Sequence, residues 1–264
     1  MGKYFNVDVI PDCIAGDVSD NNGTDDVGAG DIIFNWTAVD VPKGGSAIVS
    51  ISAVANAEDG AYGSGSLTDY ELMFAKSVNG VAPPSLGDIN GVQTTGGSMR
   101  NHIIGSARLE STAANATLSK TTFHVVYTNS AHGTTNSASV GSNMPIVMDL
   151  EPDSGTNVGF DKLYVAGFQV GARNYGTGVL ADGAVDASSA QSTTITVKTV
   201  DATKIFSVGD QVYVMDLDTP IPGTLTAVTA TTLTFSEANT TVDITDGDEL
   251  LNANPIRIKL GFEK

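Results

Sequence analysis

Three features of the sequence predict an all-β fold. Apolar residues recur at alternate positions, turn dipeptides such as Asn-Gly and Asp-Gly punctuate the chain, and small uncharged polar residues take the place of charged ones. Alternation with a period of two puts one set of side chains on each face of a strand. No segment carries a convincing three-turn stripe of an amphipathic helix. Charged residues make up 16% of the 264 positions, against roughly a quarter in ordinary globular domains. Gly, Ser, Thr, Asn and Ala fill the gap and suit strands joined by many turns. A hydrophobic fraction of 41% with a mean hydropathy of +0.04 is enough for a real core and speaks against disorder.

Taken in order, "IIFNWTAVDV" (Ile32 to Val41) and "SAIVSISAVA" (Ser46 to Ala55) flank the turn "PKGG". "YELMFAKSV" (Tyr70 to Val78) reads as a strand that stops at Asn79-Gly80, a strong two-residue turn signal, before Pro83-Pro84. "HIIGSARLE" (His102 to Glu110), "TTFHVVYT" (Thr121 to Thr128), "MPIVMDLE" (Met144 to Glu151) and "DKLYVAGFQVGA" (Asp161 to Ala172) continue the series, with Gly-, Ser-, Thr- and Asn-rich connections. Strands at this spacing describe a large antiparallel β-sandwich of jelly-roll type.

Near Asp182 the texture changes. "DGAVDASSAQS" (Asp182 to Ser192) is small, polar and without period, and reads as a linker. Compact strands follow at Thr193 to Val200, Asp210 to Asp216, Gly223 to Ala230 and Thr231 to Glu237. Gly209-Asp210 turns the chain into the second of these, and Pro220 to Gly223 turns it back. With Val212, Val214, Leu225, Val228, Leu233 and Phe235 as its apolar side, this stretch predicts a small antiparallel β-barrel that docks on the larger body. "PIRIKLGFE" closes the chain with Ile256, Ile258, Leu260 and Phe262 at period two, the pattern of a strand with one face buried. The expected organisation is a sandwich over residues 1–190, a barrel over 191–250 inserted before the last strand, and a strand within 251–264 that returns to the sandwich.

The formal net charge is −17, with 30 acidic and 13 basic residues. So acidic a chain repels phosphate backbones and anionic lipid, so neither nucleic acid nor membrane is expected as a partner. Cys13 is the single cysteine, so no disulfide can form within the chain. The start "MGKYFNVDVIPDC" lacks a cationic, apolar leader and no apolar run reaches membrane-spanning length, so assembly in a cytoplasm is expected.

No residue pattern in the chain points to a reactive site. His102, His124 and His132 are the only histidines, and no G-x-S-x-G elbow accompanies them. Asp17 to Asp26 ("DVSDNNGTDD") offers oxygen ligands of the kind calcium takes, yet its spacing departs from an EF-hand and no Glu closes it. Asp243 to Glu249 departs in the same way, and solvated turns are the simpler reading of both. Thirty acidic residues supply accidental carboxylate pairs, so a glycosidase pair has no meaning without geometry. "YGSGS" (Tyr62 to Ser66) lacks the lysine of a phosphate loop. Trp36, the one tryptophan, alternates into a strand and is expected to pack in a core, not to stack on sugar. The glycosylation triplets at Asn35, Asn115 and Asn239 are chance matches in a Thr-rich chain. No catalytic, cofactor or metal residue is assigned, and no enzymatic activity or cofactor is expected.

"VDVPKGGSAIVSISA", "TDYELMFAKSVNGVAPPSLGDIN" and "KLYVAGFQVGARNYGTG", with the later "FSVGDQVYV" and "TLTAVTATTLTF", resemble tailed-bacteriophage virion structural proteins, and in particular capsid decoration proteins of T4-like marine cyanophages. The resemblance implies a β-rich protein that assembles in many copies on the outer capsid surface and reinforces the major capsid protein lattice, with a homo-oligomer, such as a trimer, as its unit. An acidic chain without a basic arm suits the outside of a DNA-filled shell better than its inside. The competing expectations are a tail, neck or fibre-base protein, and a carbohydrate-binding module for host attachment.

Overall fold

The computed structural model describes residues 3–13, 27–56, 69–94, 96–109, 121–127, 146–153, 159–171, 178–189, 191–215 and 220–264. In chain order the strands are β1 (Tyr4–Val9), β2 (Ile32–Pro42), β3 (Ser46–Asn56), β4 (Tyr70–Lys76), β5 (Ile103–Leu109), β6 (Thr121–Tyr127), β7 (Ile146–Met148) and β8 (Phe160–Gln169). They continue with β9 (Val179–Ala181), β10 (Thr194–Lys198), β11 (Val212–Val214), β12 (Leu225–Thr229), β13 (Thr232–Phe235), β14 (Glu249–Asn252) and β15 (Ile256–Glu263). The one short helical element among the described residues is a 3-10 turn at Ala202–Lys204, capped by Asp201, which accepts from the Thr203 N–H.

The strands form three antiparallel sheets. The first runs β1-β15-β3-β6, with β7 against the start of β3, and the second runs β2-β8-β4-β5. They face one another across a core that includes Phe34, Ile48, Ile51, Phe74, Leu163 and Phe262. Each such side chain, taken fully out of water, stabilises the fold by about 1.5–3 kcal/mol. The turn at "PKGG" passes the chain from the second sheet to the first, so β2 and β3 are sequence neighbours in different sheets. Asn79 and Gly80 adopt φ of 53° and 76°, and Val78 and Val81 exchange backbone hydrogen bonds across them. This is the tight turn that the dipeptide predicts.

The second sheet is covered on both faces. Residues after β4 fold over its outer side, where Leu86 and Met99 pack on Ile32 and Ala166. Burial along β8 is accordingly almost continuous, and two register shifts in β2 let Ile32, Ile33 and Phe34 all be buried. β15 lies between β1 and β3, antiparallel to both, and its Ile256, Ile258, Leu260 and Phe262 belong to the core between the sheets.

Between β8 and β15 the chain builds the third sheet, in the order β11-β14-β9-β10-β13-β12. It has its own apolar cluster, with Val179, Ile195, Val212, Leu233, Phe235 and Leu250 among its members. Two expectations are corrected here. The sheet is open and not a closed barrel, with β11 and β12 as its two ends, not paired to each other. Among the described residues it is the stretch before β11 that reaches β12, where Leu225 donates to the Asp210 carbonyl at 2.8 Å and accepts from the Gly209 N–H at 2.7 Å. Alongside β11 the chain instead lays Pro220 and Ile221, and Pro220 has no N–H with which to extend a ladder. The stretch Asp182 to Ser192 is not a linker between bodies, because β9 before it and β10 after it are neighbours in this sheet. Asp186 folds it by accepting from the N–H groups and hydroxyls of Ser188 and Ser189.

Candidate functional site

Among the described residues, a connected set of buried polar groups lies where the third sheet meets β1 and β15. It begins at Gly209, whose φ of 90° lets the chain bend and deliver Asp210 to the start of β11. Asp210 is 2% exposed. Its Oδ1 accepts from Arg257 of β15 at 2.5 Å, and its Oδ2 accepts from the Ser207 N–H at 2.7 Å and from Asn252 Nδ2 at 2.8 Å. Burial nonetheless pushes its carboxyl above the ordinary value, because lost hydration outweighs what Arg257, Ser207 and Asn252 return.

Asn252 and Asn254, both buried, extend the network. Asn252 Nδ2 also donates to the Ile205 carbonyl and its Oδ1 accepts from the Asn254 N–H, each at 2.8 Å. Asn254 Oδ1 accepts from the Gln211 N–H, and its Nδ2 donates to the Pro11 carbonyl just beyond β1, again at 2.8 Å. Tyr213 completes the joint: its hydroxyl donates to Asp12 at 2.9 Å, and burial together with that carboxylate pushes its phenol up to about 12. Beside it the Cys13 N–H donates to the Ala253 carbonyl at 2.8 Å. Burial and Asp12 hold the Cys13 thiol well above its ordinary value, which keeps it protonated and unreactive. The arrangement fixes one sheet on another; its polar groups are spent on each other.

A second cluster braces the two-sheet body. Asp153 accepts from Tyr164 at 2.7 Å and from the buried Ser77, while Glu151 accepts from the Asn79 N–H at 2.8 Å. Burial and Asp153 push the Tyr164 phenol up to about 12.

His102 Nδ1 bonds the Lys76 carbonyl at 2.9 Å, and His124 lies in β6 opposite Ala53. In the acidic stretch Asp243 to Glu249, Asp243 accepts from the Ala187 N–H, Asp246 from Gly183 and Lys198, Asp248 from Thr245, and Glu249 from Gly178. These carboxylates tie neighbouring backbone segments together. Trp36 is half-buried, packs beside the Leu86–Met99 cluster and donates its indole N–H to the Pro84 carbonyl at 2.9 Å. Asn35 holds the same loop through Ser85 and Gly87, and the Asn239 amide is wholly buried in a bond to the Val242 carbonyl. His132, Asn115, Tyr62 to Ser66 and Asp17 to Asp26 lie outside the described residues. Among the described residues no three His, Cys, Asp or Glu side chains gather as a metal site would require.

Sequence reading missed the joint. Gly209-Asp210 was legible only as a turn, and Asn252 to Asn254 carried no expectation. The available signal was a pair of amides directly after the apolar Leu250-Leu251, since buried amides need partners. Comparison with family models, with curated proteins and with solved structures finds no match to this chain.

Proposed function

We propose that this chain is a virion structural protein that decorates the outer surface of a tailed-phage capsid. The observation that carries the reading is the winding of its two-sheet body. Counting its long strands in chain order, with β8 as seventh and β15 as eighth, the sheets run 1-8-3-6 and 2-7-4-5. We read this order as a jelly roll, an architecture used by viral capsid domains and by lectins. Residues 179–252 form an insertion between its last two strands, anchored by the Asp210–Arg257 joint, and serve as an accessory surface.

Charge supports the outer face of the shell: at −17 the chain is repelled by packaged DNA. The partner is the major capsid protein lattice. Many weak contacts per shell would supply affinity through multivalency, with the protein itself acting as a homo-oligomer. Trp36 is half-buried against its neighbours and its indole N–H is taken up by the Pro84 carbonyl, which supports a shell-binding role over carbohydrate recognition. Full-length protein added back to capsids stripped of it is expected to rebind in hundreds of copies and to raise the melting temperature of the shell. Absence of rebinding, or only a handful of copies at a tail or neck, would overturn the proposal.

A further inference from the structure

β1 is the edge of its sheet, and its backbone parity determines what it offers. Lys3 and Lys264 exchange both backbone bonds, at 3.1 and 2.9 Å. Doubly bonded pairs alternate along an antiparallel ladder, so Phe5, Val7 and Val9 likewise aim their backbone groups at β15. The N–H and C=O groups of Tyr4, Asn6 and Asp8 therefore point the other way, to an edge that no described strand covers. The edge is lightly protected, its one charged residue being Asp8, which Lys259 balances within the chain. Tyr4–Val9 contains no proline, its register with β15 is unbroken, and its inward residues, Phe5, Val7 and Val9, are apolar.

We propose that this edge is an interface with a second copy of this chain, in which β1 pairs antiparallel with the partner's β1 about a two-fold axis at Asn6. The strand is complementary to itself in that register. On the core side, Phe5 lies opposite the partner's Val7. Phe5 already stacks on Phe262 with ring centroids 4.9 Å apart, yet Phe5 and Val7 are only partly buried, and a second strand continues the apolar row across the axis. On the outer side, Asn6 meets the partner's Asn6, and a primary amide both donates and accepts. Tyr4, 72% exposed, lies opposite the partner's Asp8, a carboxylate that Lys259 already balances at 2.6 Å within each chain. Lys3 falls opposite the partner's Val9, so no like charges face each other across the ladder. The interface is isologous, as a two-fold dimer requires. It does not depend on the virion reading.

Each chain carries −17, so long-range repulsion opposes pairing and salt relieves it. Sedimentation equilibrium of the full-length chain is expected to show a dimer that strengthens between about 50 mM and about 500 mM salt. Asn6→Pro removes an N–H that points out of the ladder, so it spares the fold while blocking the central pair. Asn6→Lys instead places two cations on the axis. Either change is expected to weaken the dimer by about tenfold or more, with unaltered circular dichroism melting. Should Asn6→Pro fail to fold, Asn6→Lys alone decides. A wild-type chain that stays monomeric at about 100 µM in both salts would overturn the proposal, as would a dimer indifferent to both substitutions. Monomers that pair only with a strand of another protein would also overturn it.

Discussion

Asp210 illustrates how one residue acquires a role its neighbours in sequence do not announce. Its carboxylate is removed from water at the head of β11, and the cation beside it, Arg257, belongs to a strand of another sheet. Burial raises the carboxyl, so its contribution to folding is greatest below the ordinary value of 3.8 and is lost as pH rises through the raised value. Arg257 limits that loss at neutral pH. Arg257→Met is therefore expected to cost about 2–3 kcal/mol at about pH 7, leaving a buried acceptor charged and without its cation. The cost should shrink as pH falls toward the ordinary carboxyl value, because a raised carboxyl takes up its proton early and a neutral Asp210 needs no cation. Paired thermal melts of variant and wild type across that range check it. Gly209-Asp210 was readable as a turn because turn chemistry is local. Its charge partner was not, since 47 positions separate the two residues.

Among the elements, long strands with regular alternation were readable, and short or two-face-buried ones were not. β3 and β15 alternate and lie close to their expected bounds. β9 has three residues and β14 has four, of which three are buried, so neither offers a period to count. β1 alternates too, but over six residues only. β8 is apolar on both faces because the loop bearing Leu86 and Met99 covers its outer side. At Gly167, in β8, the Phe34 ring occupies the place of a side chain: a Cβ there would lie 2.2 Å from Phe34 Cε1. Gly167→Ala is expected to destabilise the body by about 2–3 kcal/mol through overpacking, measured by chemical denaturation. A smaller loss would mean that the ring can move aside.

At the scale of the whole molecule, the last strand closes what the first strands begin. Ile258 faces the core from β15, paired with Val9 on one side and Ala53 on the other. Ile258→Ala is expected to cost about 2–4 kcal/mol. It should also speed hydrogen exchange at Phe5 and Val7, which lie some 250 positions away in sequence yet bond directly to β15. Loss of protection confined to the third sheet would contradict this placement. The sequence by itself determined the all-β class, the Asn79-Gly80 turn and a closing strand with one buried face, because alternation and turn chemistry act over a few residues. Tertiary structure alone decided which sheet each strand joins, why the third sheet stays open, and how Asp210, Asn252, Asn254 and Tyr213 join it to β1 and β15. Those outcomes depend on contacts between residues far apart in the chain, where packing and the pairing of buried polar groups outweigh local preference.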